Sequence, residues 1–182
     1  GWHTECVVMS INNLGIPFDI HCGGIDHIPI HHSNELAQAE AVFNKKLAHY
    51  WLHGEFLDLK NKKMAKSKGK IITIETLIEK GFTPLSYRYL CLTTHYRSKL
   101  NFSWSALGSA QNALQNLRRR VRGLDRKKSS SKNKKNFLFY INNDLNTPKA
   151  LALLWDLVKK NKVSVEMVEN FDKIFSLDLI KP

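Results

Sequence analysis

The sequence predicts an α/β fold: the carboxyl-terminal half of a parallel α/β domain, followed by an all-α helical domain. Three observations predict it. Residues 2–14 place apolar side chains on one helical face and run into a short apolar strand at 17–22, which ends in Gly23-Gly24. His49 to Leu59 holds two short strands around Gly54. From Ser103 onward the apolar period is helical throughout.

The elements follow in order. Residues 31–47 read as an Ala-rich helix, and two short helices are expected near 74–80 and 84–93. Further helices are expected at 103–122, 136–142, 147–160 and 164–175. Asn146-Thr147-Pro148 is a helix start, with Thr147 as N-cap and Pro148 in the first turn. Trp104 and Trp155 stand among Leu and Ala at helical spacing and are expected in the core. The expected division is 1–60 for the α/β part, 61–100 for a connecting segment and 101–182 for the helical domain. There is no internal repeat.

Composition narrows the class. A chain of 182 residues, 43% hydrophobic, can bury a core in one large or two small domains. Net charge +12 with a pI near 9.7 points to a polyanionic partner. The richest run, Arg118 to Lys135, carries ten Lys/Arg against one Asp and includes Ser129-Ser130-Ser131, which reads as a basic linker. It suits phosphate contacts along a nucleic acid, and equally a plain solvated linker. Cys6, Cys22 and Cys91, odd in number and scattered, do not suggest a disulfide framework; a reducing, cytoplasmic compartment is expected. No apolar run approaches the roughly 20 residues of a membrane helix, so no membrane partner is expected.

Three segments carry chemistry. Lys63-Met64-Ala65-Lys66-Ser67-Lys68-Gly69-Lys70 can bring ammonium groups onto a triphosphate as charge builds on leaving pyrophosphate. Taken alone it is also what a solvated basic loop looks like. Cys6, His31 and Glu35 are all zinc-ligand types; His31 and Glu35, four apart, share a helix face. Taken singly, each is as well explained as a cap or a small buried residue. Phe18 to Asp26 is a strand, a glycine turn and an acid, an arrangement that lets a nucleotide approach backbone and offers an acceptor to ribose.

Taken in order, these motifs resemble those of cysteine–tRNA ligases, which are class I aminoacyl-tRNA synthetases. Gly1-Trp2-His3-Thr4-Glu5-Cys6 is similar to the family's Gly-Trp-His-Ile-Glu-Cys. His21-Cys22-Gly23-Gly24-Ile25-Asp26 resembles its His-Gly-Gly-Gly-x-Asp, and His31-His32-Ser33-Asn34-Glu35 its His-His-Glu-Asn-Glu. Lys63-Met64-Ala65-Lys66-Ser67 resembles the Lys-Met-Ser-Lys-Ser signature. His95 to Ser98 and Asn146 to Leu151 match later segments, so the resemblance covers roughly residues 1–160.

The resemblance implies a Rossmann-like class I catalytic domain. It implies ATP-dependent attachment of L-cysteine to tRNA(Cys) through cysteinyl-adenylate, in the cytoplasm and as a monomer, with ATP as substrate alongside Mg2+. Lys63 and Lys66 would hold phosphates, Lys66 also serving ATP binding with His21, Gly23, Gly24 and Asp26. Trp2 would pack beside the substrate cysteine. One zinc, held by Cys6, His31 and Glu35 with a further cysteine, would receive the substrate thiol. That separates cysteine from serine better than shape, because a thiol deprotonates on zinc more readily than an alcohol.

Ala65 removes a hydroxyl from the lysine signature but neither lysine. Cys22 adds a side chain where a glycine is usual, which a positive-φ position would resist. The His-Ile-Gly-His signature and the first zinc cysteine are absent and the chain opens at Gly1 without Met, so a truncated sequence is expected. Alternatives are the cysteine ligase of mycothiol synthesis, a non-catalytic RNA-binding fragment, and a zinc-dependent structural module.

Overall fold

The computed structural model describes residues 1–59, the backbone of 62–63, then 72–124 and 130–181. They form two compact units, Gly1–Phe56 with Tyr96–Lys99, and Leu57–His95 with Leu100–Pro182. Most of the 61–100 segment therefore belongs with the helical unit.

The first unit is a parallel strand pair joined through helical turns. Helix α1 (Trp2–Leu14) ends at Gly15, whose φ of 81° suits a residue without Cβ. Strand β1 (Phe18–Gly24) runs two residues beyond the expected strand and pairs in parallel with β2 (Ala48–Gly54), Phe18 opposite Ala48 and Gly24 opposite Gly54. The connection is a 3₁₀ turn at Ile25–His27, a wide π turn at Ile28–His32, and α2 (Ser33–Phe43). The helix expected over 31–47 is thus shorter at both ends. Asn44 stops it in the left-handed region, φ 51°, a conformation Asn tolerates better than most residues. Val7, Phe18, Ala39, Leu47 and Ala48 make a small core, and the Glu55 amide donates to the Tyr96 carbonyl at 2.7 Å, tying in 96–99.

The second unit is mostly helical. Strand β3 (Leu57–Leu59) pairs antiparallel with β4 (Lys62–Lys63) and parallel with β5 (Leu100–Phe102). The two strands read around Gly54 therefore serve different sheets. Helices α3 (Ile74–Glu79) and α4 (Pro84–Leu92) follow, capped by Thr73 and Thr83. The long helix α5 (Trp104–Arg122) turns Leu107, Ala110, Leu114, Leu117 and Val121 inward at a 3–4 residue spacing. Around it lie α6 (Ser131–Asn142), α7 (Thr147–Lys159) and α8 (Val165–Phe175).

Three expectations need correction here. Helix α6 starts at Ser131, not 136, so much of the basic run is helical: Arg118 to Arg122 in α5 and Lys132 to Lys135 in α6. Residues 125–129 of the expected linker lie outside the described residues. The N-cap of α7 is Asn146 rather than Thr147, because the Asn146 side chain accepts from the Lys149 amide at 3.2 Å. Trp104 and Trp155 pack against the core but are only half-buried. Among the described residues no helix is long and apolar enough to cross a membrane.

Candidate metal centre

The first unit gathers its polar chemistry at the carboxyl end of β1. The π turn presents two consecutive buried imidazoles, His31 and His32, and α2 begins by burying Glu35 completely. A buried carboxylate needs partners. His21, from β1, donates from Nε2 to Glu35 Oε2 at 2.5 Å, and His31 Nε2 stands 3.0 Å from Glu35 Oε1. That second approach lacks hydrogen-bond alignment, so Oε1 is buried without a hydrogen-bond partner.

Cys6 completes the group from the second turn of α1. One ligand atom each of Cys6, His31 and Glu35 lie within 4.8 Å of one another. His21, His32 and Glu35 form a second such triple, so Glu35 is shared by both. An orphaned carboxylate oxygen beside an imidazole and a thiol fits zinc, which takes S, N and O ligands at tetrahedral sites. Burial first, and then the Glu35 charge, push the Cys6 thiol up when no cation is present. A coordinated cation reverses that order, because it favours the thiolate.

A histidine layer surrounds the triple. His32 Nδ1 and His53 Nε2 share a hydrogen bond of 2.8 Å. Burial, then the nearby His21, push His32 down to about 4, and His53 is lowered by burial and then by His21. Both shifts favour the neutral imidazole. Trp2, 60% exposed, lays its ring 4.1 Å from that of His31 and meets His27 edge-on. It is both a wall for the imidazole and a free surface for a ligand.

Gly23 and Gly24 serve this layer directly. A Cβ on Gly23 would stand 2.4 Å from His32 Cε1 and 2.7 Å from His27 Nδ1; one on Gly24 would meet Asp26 Oδ1 at 2.5 Å. The rings close over Gly23 because it has no side chain. Gly23→Ala is expected to cost about 1–3 kcal/mol by overpacking and to weaken zinc binding, measured by denaturant midpoint and metal titration together. Unchanged values for both would show that the rings are not set by that contact.

Cys22 sits in regular strand opposite Leu52 and is exposed. It is not among the residues with positive φ, so the feared backbone strain is absent. Asp26, exposed, follows in the 3₁₀ turn. Lys63 has its backbone in β4 opposite Asp58. Lys66 and the rest of the lysine loop, 64–71, lie outside the described residues. Sequence reasoning missed His27, His32 and His53; the available signal was density, six of the chain's eight His falling between His21 and His53.

The model for the catalytic domain of class I (C) tRNA synthetases matches residues 1–112. The chain belongs to this synthetase family. The resemblance read from its motifs is borne out. A cysteine–tRNA ligase of Burkholderia lata is 49% identical over 98% of this chain and 39% of its own length. Those of Treponema denticola and Borrelia hermsii are 41% and 39% identical, matched over 43% and 42% of their lengths. The chain thus spans about two-fifths of the curated relatives it matches. Among solved structures, the LeuRS of Agrobacterium radiobacter, in a ternary complex with tRNA and LeuAMS, aligns with 90% of the chain and 26% of its own, TM-score 0.62. Methionyl-tRNA synthetase of Mycobacterium tuberculosis, bound by methionyl-adenylate, aligns with 87% of the chain and 34% of its own, TM-score 0.57. At 14% identity both bear on fold alone, and they support a mixed α/β class I synthetase fold.

Proposed function

We propose that this chain carries the substrate-thiol site and part of the nucleotide site of a cysteine–tRNA ligase, which joins L-cysteine to tRNA(Cys) through cysteinyl-adenylate. The observation that carries it is the convergence of Cys6, His31 and Glu35 with a buried carboxylate oxygen lacking a hydrogen-bond partner. In this reading 1–60 is the carboxyl-terminal half of a Rossmann-like catalytic domain, 61–100 holds the lysine signature, and 101–182 meets tRNA.

Each residue has a physical task. Cys6, His31 and Glu35 would hold one zinc; when bound, it supplies a soft Lewis acid that prefers a thiol to a hydroxyl. His21 holds the Glu35 carboxylate by its second oxygen, leaving Oε1 for the cation. Trp2 covers His31 and offers its exposed face to the substrate side chain. Gly23, Gly24 and Asp26, at the strand's carboxyl end, stand where α/β folds take nucleotides, with His21 beside them. Lys63 and Lys66 would hold the phosphates of ATP with Mg2+, so that pyrophosphate leaves as the cysteine carboxylate attacks the α-phosphorus.

The test is cysteine-dependent ATP–pyrophosphate exchange with metal content read alongside, on this chain and on the chain extended through its upstream reading frame. Exchange in the extended chain, with about one zinc per molecule, is expected. Zinc and exchange should both fall in Cys6→Ser. No exchange in either form, with tRNA still bound, would replace this reading by a non-catalytic RNA-binding one. Transfer of cysteine to an amino sugar instead of tRNA would replace it by the mycothiol-type ligase.

A further inference from the structure

The basic run of the sequence is not one surface. Arg118 turns inward: its Nη2 donates to the Leu177 carbonyl at 2.6 Å, and its Nε is buried. Its charge serves the chain segment after α8. Arg119 and Arg120 face outward, and a different element joins them. Asn116, Arg119 and Arg120 of α5 line one pocket with Trp155 and Lys159 of α7. The spacings i, i+3, i+4 on α5 and i, i+4 on α7 put these side chains on one face of each helix.

We propose that this pocket binds the phosphodiester backbone of RNA, two arginines and a lysine closing on phosphates beside an indole. The inference takes its RNA from the tRNA-ligase reading above and adds where, on the helical unit, the strand is gripped. Four observations carry it. Three of the five lining residues are cationic, and none is acidic. The nearest acid on α7, Asp156, is already paired with Lys160 at 2.7 Å. Arg119 spends one donor on Asn116 Oδ1, at 2.6 Å, which orients its fork and leaves the remaining donors for a ligand. Trp155 is locked edge-in by donating from Nε1 to Tyr89 Oη at 2.7 Å, and Lys159 Nζ lies 5.4 Å from its ring centre.

Helix C-termini favour cations for their own sake, which accounts for arginine in the last turn of α5 and lysine in that of α7. It does not account for their convergence around an anchored tryptophan. Cations interleaved with an aromatic plane match phosphate and base or ribose together. An anionic membrane would want an apolar wedge beside the cations, and this pocket has only the half-buried indole.

The experiment uses the full chain and a labelled tRNA(Cys) transcript. Affinity is measured from low to moderate salt for the wild type, for R119Q/R120Q/K159Q, and for K45Q/K46Q/K181Q, which removes the same charge elsewhere. The pocket variant is expected to bind about tenfold or more weakly, with a log–log salt slope smaller by about three, one per phosphate-facing cation. R119K/R120K should keep most of the slope. Equal losses in the two triple variants, or no loss in the pocket variant, overturn the proposal. So does a pocket variant that loses poly-glutamate or phosphatidylserine vesicles while keeping RNA. Pyrophosphate exchange by the extended chain needs no RNA, so it separates the two readings. Exchange with an unchanged slope sinks the pocket alone; a lost slope without exchange leaves the pocket and sinks the ligase.

Discussion

Replacing Glu35 by Gln is expected to lower zinc affinity by more than about 100-fold while leaving the helical unit's stability unchanged. Loss of a residue that merely supports a metal ligand costs about 10–100-fold in typical sites, and Glu35, as a proposed ligand, would touch the metal itself. It is the one residue common to both ligand triples, and it is completely buried. Gln keeps its volume, so the α2 start and the small core of Val7, Phe18, Ala39, Leu47 and Ala48 are not emptied. What changes is charge and donor count: a neutral amide attracts a divalent cation less, and its NH2 cannot accept from His21. Competition against a chromophoric chelator measures the affinity. Zinc held equally tightly by the Gln variant would remove Glu35 from the ligand set and leave Cys6 and His31 without a reason to converge there.

Phe137→Ala is expected to destabilise the helical unit by about 3–5 kcal/mol, the usual cost of deleting a buried aromatic ring. Phe137 is 1% exposed, stacks on Phe171 with centroids 3.9 Å apart and meets Phe175 edge-on at 5.4 Å. It ties α6 to α8, so its loss opens a cavity between the two helices. Differential scanning calorimetry should show the helical transition falling by on the order of 10 °C. Zinc affinity should not move, since the proposed ligands rest on a separate core. A loss below about 1 kcal/mol would show that the neighbouring helices collapse onto the vacancy.

Much of this was legible in the sequence, and the exceptions have physical causes. Long helices announced themselves by period: α5, α7 and α8 fall within a residue or two of the reading, because each buries one continuous stripe. Strand β5 did not, since three residues carry too little alternation to register. Asn146 took the cap from Thr147 by side-chain geometry that a local pattern does not specify. At the candidate metal centre, the trio Cys6, His31 and Glu35 was readable because His31 and Glu35 obey helical spacing. The role of His21 against Glu35, and of His32 against His53, was not. Those contacts cross from β1 to α2 and from β2 to the π turn, joining elements that the chain order leaves far apart. Gly23 is a similar case: the sequence marks it as a turn glycine, whereas its hydrogen is what lets two imidazoles close over the strand.

The two-stranded sheet of the first unit has one more consequence. Among the described residues, β1 and β2 pair only with each other, so each strand keeps one row of backbone donors and acceptors toward its outer side. Ile20 and Tyr50, register partners, are 55% and 68% exposed. Parallel sheets are ordinarily covered on both faces, and an uncovered apolar edge is a template for another strand. What pairs along that edge is therefore expected to influence how the unit associates. In a concentrated solution the nearest available strand is that of another copy, so pairing between copies is expected to grow with protein concentration.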